Sequence, residues 1–180
     1  ALARYAALCQ EEGLVPIVEP EVVMDGSHGI ARCEQVTGEV LETVFAALDD
    51  HRVILEGMLL KPNMAIAGKK CAQQDTAQAV AEATMRCLTR HVPAAVPGIV
   101  FLSGGQTAEV ATANLNAMNE AGAYPWEVSF SYGRALQAPV LAAWKGQEAN
   151  VAAAQAALLK RCKLNGLARK GIYAAAMENG

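Results

Sequence analysis

A lone lysine closes the run "VILEGMLLKPN", Val53 to Asn63, and a proline follows it at once. An apolar segment that ends this way surfaces at one point with an amine at its tip. A lysine attacks a carbonyl only as the free amine, a minor species at neutral pH for an ordinary side chain titrating near 10.4. Burial beside apolar residues opposes the charged form, so Lys61, next to Leu59 and Leu60, is a candidate Schiff-base nucleophile. The same lysine would also fit a structural role, neutralised by Glu19 or Glu56 in an ion pair.

Schiff-base chemistry needs proton carriers, because a carbinolamine must lose water and the carbon skeleton must gain and lose protons. Glu19 and Glu21 of "VPIVEPE" stand two residues apart across Pro20 and could serve as paired acid and base. An E-P-E at a strand end equally suits a solvated rim or a helix-dipole partner.

Two further stretches are suited to a phosphate. "LSGGQ" contributes Ser103, Gly104 and Gly105, whose small side chains let backbone N–H groups approach an anion ahead of a helix N-terminus. "SFSYGRAL" contributes Ser131, Gly133 and Arg134, with a turn at the glycine and a bidentate grip available from the guanidinium. A single such loop reads as a turn without ligand; two in consecutive units favour a binding site.

Positioning these groups requires strands that end where they begin. Four β-like runs do so: Leu14 to Val22, Val53 to Lys61, Gly98 to Ser103 and Trp126 to Ser131. Helical patterns lie between them, marked by Cys33, Val36, Val40, Val44 and Leu48, by Val80 to Leu88, and by Val110 to Met118. Two more helices follow, Ala135 to Trp144 and about Asn150 to Leu167, and one precedes the first strand from Leu2 to Cys9 with Gly13 as its stop. Strands alternating with helices of this length predict an α/β fold of four consecutive βα units on a parallel sheet. Ligands of such folds sit at the carboxyl ends of the strands, where all the polar candidates fall.

Alternation predicts Val15, Ile17, Glu19 and Glu21 on one face of the first strand and Leu55, Gly57, Leu59 and Lys61 on one face of the second. Carboxylates and a lysine on inward faces suit a barrel mouth, but a closed barrel needs eight strands. Four strands predict half of a (β/α)8 TIM barrel, with residues 1–180 as a single partial-barrel domain.

With 180 residues, 53% of them hydrophobic, the chain can bury a sizeable core, and a net charge of -3 gives no reason to expect nucleic acid. The longest apolar run, Ala94 to Leu102, is broken by Pro97 and Gly98 and is far short of the roughly 20 residues of a membrane span. Five scattered cysteines without a Cys-x-x-Cys pair argue against a disulfide frame or zinc site and suit a reducing, cytoplasmic setting. His28, His51 and His91 lack partners at metal-ligand spacing and read as loop or helix-end residues; Trp126 and Trp144 read as packing residues, and Asn63 as turn chemistry.

"VILEGMLLKPN" resembles the active-site segment of class I fructose-bisphosphate aldolase, with the Schiff-base lysine falling on Lys61. "VPIVEPE", "FLSGGQ" and "SFSYGRALQ" are similar to that family's other strand-end motifs in the same order, from Ala1 to about Tyr173, and fit the carboxyl-terminal half of its barrel. The resemblance implies reversible cleavage of fructose 1,6-bisphosphate to dihydroxyacetone phosphate and glyceraldehyde 3-phosphate in glycolysis and gluconeogenesis, with no metal or cofactor. It implies that Lys61 forms the Schiff base, that Glu19 handles protons and that Glu21 shares the carboxylate site. Ser103, Gly104, Gly105, Ser131, Gly133 and Arg134 would surround the ketose phosphate.

The family also takes an aspartate and further lysines from its first four strands, and a carboxyl-terminal tyrosine that Tyr173 lies too early to match. The expectation is therefore a piece of a longer enzyme, inactive alone, whose partners are a sugar phosphate and either the missing half or further copies in a tetramer. Two readings compete with it: a non-catalytic half-barrel that binds phosphorylated ligands or a protein, and a lysine aldolase of different substrate.

Overall fold

The computed structural model describes residues 1–179, so position 180 of the expected domain lies outside the described residues. Four parallel strands lie in the order β1-β2-β3-β4: β1 (Ile17–Val18), β2 (Leu59–Leu60), β3 (Gly98–Phe101) and β4 (Glu127–Phe130). Helix α1 (Leu2–Glu11) precedes β1, and α2 (Ile30–Asp50), α3 (Ala77–His91) and α4 (Ala108–Glu120) each follow a strand. After β4 come α5 (Arg134–Trp144) and α6 (Val151–Ala168). The sequence pattern anticipated each of these elements; no described helix is long and apolar enough to cross a membrane.

The first two strands are much shorter than expected, and prolines explain it. Pro16 and Pro20 bracket β1 and offer no N–H to a ladder. Residues Leu55–Gly57 coil into a 3-10 turn rather than extending β2, so Leu55 and Gly57 do not continue the face of Leu59 and Lys61. Pro62 then ends the strand after Lys61. Single bonds carry the register past the formal strands: Leu59 N–H donates to Pro16 O at 3.0 Å and Lys61 N–H to Val18 O at 2.7 Å.

Residues pairing across the sheet alternate between two environments. Val18, Leu60, Ile99 and Val128 turn towards the helices and are buried with Leu41, Leu88, Leu115 and Met118 in one core. Ile17, paired with Leu59, is 39% exposed on the other face. That second face carries Glu19 and Lys61 onward to the strand ends.

Two helix starts are fixed by side-chain caps, those of α3 and α4. Thr76 Oγ1 accepts from Ala79 N–H at 3.2 Å to begin α3, and Thr107 Oγ1 accepts from Val110 N–H at 3.3 Å to begin α4. Gln10 of α1 clasps the approach to β2, donating to Ile54 O at 2.8 Å and accepting from Ile54 N–H at 2.9 Å.

Candidate active site

Lys61 stands at the tip of β2 with β1 on one side and β3 on the other. Its ammonium nitrogen lies 3.2 Å from Glu19 Oε1; the lysine side chain is 18% exposed and the carboxylate 46%. Of the two carboxylates offered as partners for the lysine, Glu19 is the one that meets it, while Glu56 falls in the 3-10 turn before β2. Glu21 is exposed and enters no ion pair or side-chain hydrogen bond among the described residues.

Asn63 joins the two strand tips, a function that its place after Pro62 did not reveal. It is 2% exposed, its Oδ1 accepts from Val22 N–H at 3.0 Å, and its Nδ2 donates to Thr37 Oγ1 at 3.0 Å and Met64 O at 3.1 Å. Val22 follows directly on Glu21, so one buried amide ties the carboxylate loop to the lysine segment. Ala65 N–H donates to Thr84 Oγ1 at 2.9 Å and fixes the next residues against α3.

The loop after β3 is shaped by its glycines. Gly104 and Gly105 have φ of +58° and +80°, left-handed conformations that side-chain-bearing residues rarely adopt. Ser103 is buried, and Gln106 braces the turn by donating from Nε2 to Ser103 O at 2.9 Å while its Oε1 accepts from Asn114 Nδ2 at 2.6 Å. After β4, Ser131 is half-buried and Gly133 leads into α5, whose first residue is Arg134. The β3 and β4 loops meet: a β-carbon placed on Gly105 would lie 4.0 Å from Arg134 Nη1. The same point would lie 2.9 Å from Cε and 3.2 Å from Nζ of Lys69.

Lys69 was not singled out in the sequence, and neither was its partner. Its ammonium donates to Asp25 Oδ1 at 2.8 Å, and that hydrogen bond and charge hold the Asp25 carboxyl below its ordinary range, with Arg134 and Lys70 pulling the same way. Gly105, Gln106 and Arg134 also line an open groove of about 370 Å3 beside α5. A larger hollow of about 660 Å3 along α6, lined by Lys160, Leu164 and Met177 among others, shares none of these residues.

Trp126 has the packing role anticipated for it and His51 and His91 stand at helix ends as expected, whereas Trp144 is exposed. Trp126 is buried with its indole N–H donating to Pro93 O at 2.9 Å, and Trp144 lies at the end of α5, 42% exposed. His91 Nδ1 lies 3.1 Å from Glu42 Oε1, and His51 Nδ1 lies 3.0 Å from Ala47 O.

Four parallel βα units with an amine, a carboxylate and a glycine–arginine cradle at the carboxyl ends define a barrel-type α/β protein whose polar cluster lies at the ligand end. The chain belongs to the class-I fructose-bisphosphate aldolase family, whose model matches residues 1–180. It is 55% identical over 179 residues to fructose-bisphosphate aldolase of Dictyostelium discoideum, covering 99% of this chain and 50% of that protein. It is 59% identical over 173 residues to fructose-bisphosphate aldolase B of Gallus gallus, covering 96% and 48%. The fold matches that of fructose-bisphosphate aldolase from Plasmodium falciparum, solved in a ternary complex with TRAP and a small-molecule inhibitor. The TM-score is 0.94 at 54% identity, over 97% of this chain and 50% of the other. The chain thus spans about half the length of the relatives it matches and forms half of a TIM barrel.

Proposed function

We propose that Lys61 is the Schiff-base nucleophile of a fructose-bisphosphate aldolase, cleaving fructose 1,6-bisphosphate reversibly to dihydroxyacetone phosphate and glyceraldehyde 3-phosphate. The observation that carries this reading is the 3.2 Å pairing of Lys61 with Glu19 at adjacent strand tips. A carboxylate at that distance can take a proton from the ammonium and return it to the hydroxyl of the carbinolamine as water leaves. With the iminium formed, the Glu19 carboxylate takes the proton of the hydroxyl on the departing carbon, that oxygen becomes the aldehyde carbonyl, and the electrons of the breaking carbon–carbon bond flow to nitrogen as the aldehyde departs. The resulting enamine is protonated and hydrolysed, freeing the ketose phosphate and the lysine. Glu19 is the proton carrier in this scheme, and Glu21 adds to the carboxylate site from the exposed side of the same loop.

Ser103, Gly104, Gly105, Ser131, Gly133 and Arg134 hold the ketose phosphate in this proposal. The approach of Arg134 to Gly105 supports it, because a guanidinium beside an open backbone turn suits a phosphoryl group. Anchoring the phosphate would hold the carbonyl next to the amine and turn a bimolecular attack into a positioned one. A single domain, a cytoplasmic setting and assembly into a tetramer complete the proposal and rest on family membership.

The same ion pair favours one competing reading, a structural lysine in a half-barrel that binds without reacting. The two differ in one experiment. Borohydride reduction of the chain with dihydroxyacetone phosphate is expected to add one covalent adduct by intact mass, absent from Lys61→Met. A folded wild-type chain without the adduct favours the structural reading.

A further inference from the structure

Lys69 lies against the loop after β3 at Gly105, the second of its two glycines. The left-handed turn at Gly105 favours glycine there, and the open backbone lets the end of the flexible Lys69 side chain lie close, with Cε 2.9 Å from the place of the missing β-carbon. The backbone that carries Lys69 is fixed by the preceding loop: Gly68 N–H donates to His28 O at 2.9 Å, Lys69 N–H to Met24 O at 2.9 Å and Lys70 N–H to Gly26 O at 2.8 Å. The side chain itself is 49% exposed, and its partner Asp25 is 68% exposed. A solvated ion pair of this kind is weak and open to exchange.

A phosphate monoester carries about -1.5 to -2 charges at neutral pH, more than the single guanidinium of Arg134 neutralises. The ammonium beside Gly105 is the cation placed to supply the remainder. We propose that Lys69 is a phosphate-binding residue held in reserve by Asp25, which releases it to the phosphoryl group when a ketose phosphate enters. The proposal rests on the reading above, in which Gly104, Gly105 and Arg134 hold that phosphate.

Calorimetric titration of the 180-residue chain with dihydroxyacetone phosphate at low ionic strength tests it, with circular dichroism to verify each fold. Lys69→Met is expected to weaken binding about tenfold, as loss of a charge-assisted hydrogen bond does, and Lys69→Arg to retain it. Asp25→Asn is expected to tighten binding, since the competitor for the ammonium is gone. A purely structural pair would give the same sign for Lys69→Met and Asp25→Asn. Binding that Arg134→Met weakens but both Lys69→Met and Asp25→Asn leave unchanged overturns the role of Lys69 and spares the phosphate loop. Binding insensitive to Arg134→Met, or no binding at all, overturns the phosphate reading and this inference with it.

Discussion

Asn63 holds the lysine-bearing strand tip to the carboxylate-bearing one with a single buried side chain. Its amide oxygen takes the N–H of Val22, and its amide nitrogen reaches Thr37 and Met64. Truncation would remove all of these bonds at once, leaving the half-buried Val22 N–H without its side-chain partner and weakening the buried contacts at Thr37 and Met64. Asn63→Ala is therefore expected to destabilise the chain by about 1–3 kcal/mol, read by urea denaturation, and to lower the yield of the Lys61 adduct. Unchanged stability and yield would remove Asn63 from the site's support. The sequence made Lys61 and Glu19 legible because each ends an apolar run. Asn63 offered only a residue after a proline, and the Lys69–Asp25 pair offered nothing, its members standing 44 positions apart.

At the scale of elements, helices were legible to within a few residues and the first two strands were not. Helices α2, α3 and α6 are long enough for their apolar spacing to dominate. In β1 and β2 the apolar runs were real, but prolines and a 3-10 turn decide how much of each run joins the ladder. The loops after these strands are strapped to each other, and the strap depends on Gly68. A β-carbon there would lie 2.4 Å from Gly26 O and 2.8 Å from Gly26 C, both backbone atoms that cannot swing aside. Gly68→Ala is expected to cost about 1–3 kcal/mol, the range for overpacking, and to lower the melting temperature. A variant as stable as wild type would mean that the two loops separate without loss.

At the scale of the whole molecule, a network of polar side chains ties the residues beyond α6 back to α4 and α6. Arg161, 4% exposed at its side chain, donates from Nη1 to Glu178 Oε2 at 2.6 Å and from Nη2 to Thr112 Oγ1 at 2.7 Å. Tyr173 donates its phenol to Glu178 Oε1 at 2.9 Å, and its backbone N–H donates to Asn116 Oδ1 at 2.8 Å. Burial first, and the bond to Glu178 second, push the Tyr173 phenol up to about 12 from 10.0. The unfolded chain then releases this proton first as pH rises, so stability present below about pH 10 is lost through about pH 12. Tyr173→Phe is expected to flatten the fall in melting temperature over that window; an equally steep fall would place the alkaline sensitivity elsewhere. At this scale the half-barrel was legible, because four strand-end motifs in order imply four βα units. The tail network was not, since nothing in "GIYAAAMEN" announces a carboxylate that reaches back to a buried arginine.

The central claim is that one amine at the end of β2 is the nucleophile, although three lysines lie in this region. Lys61 pairs with Glu19, and Lys69 and Lys70 stand on the loop beyond it. Peptide mapping by tandem mass spectrometry of the borohydride-reduced adduct with dihydroxyacetone phosphate separates them most directly. The account predicts the modification on Lys61 alone, with Lys69 and Lys70 unlabelled; a modification on Lys69 or Lys70 with Lys61 untouched would contradict it.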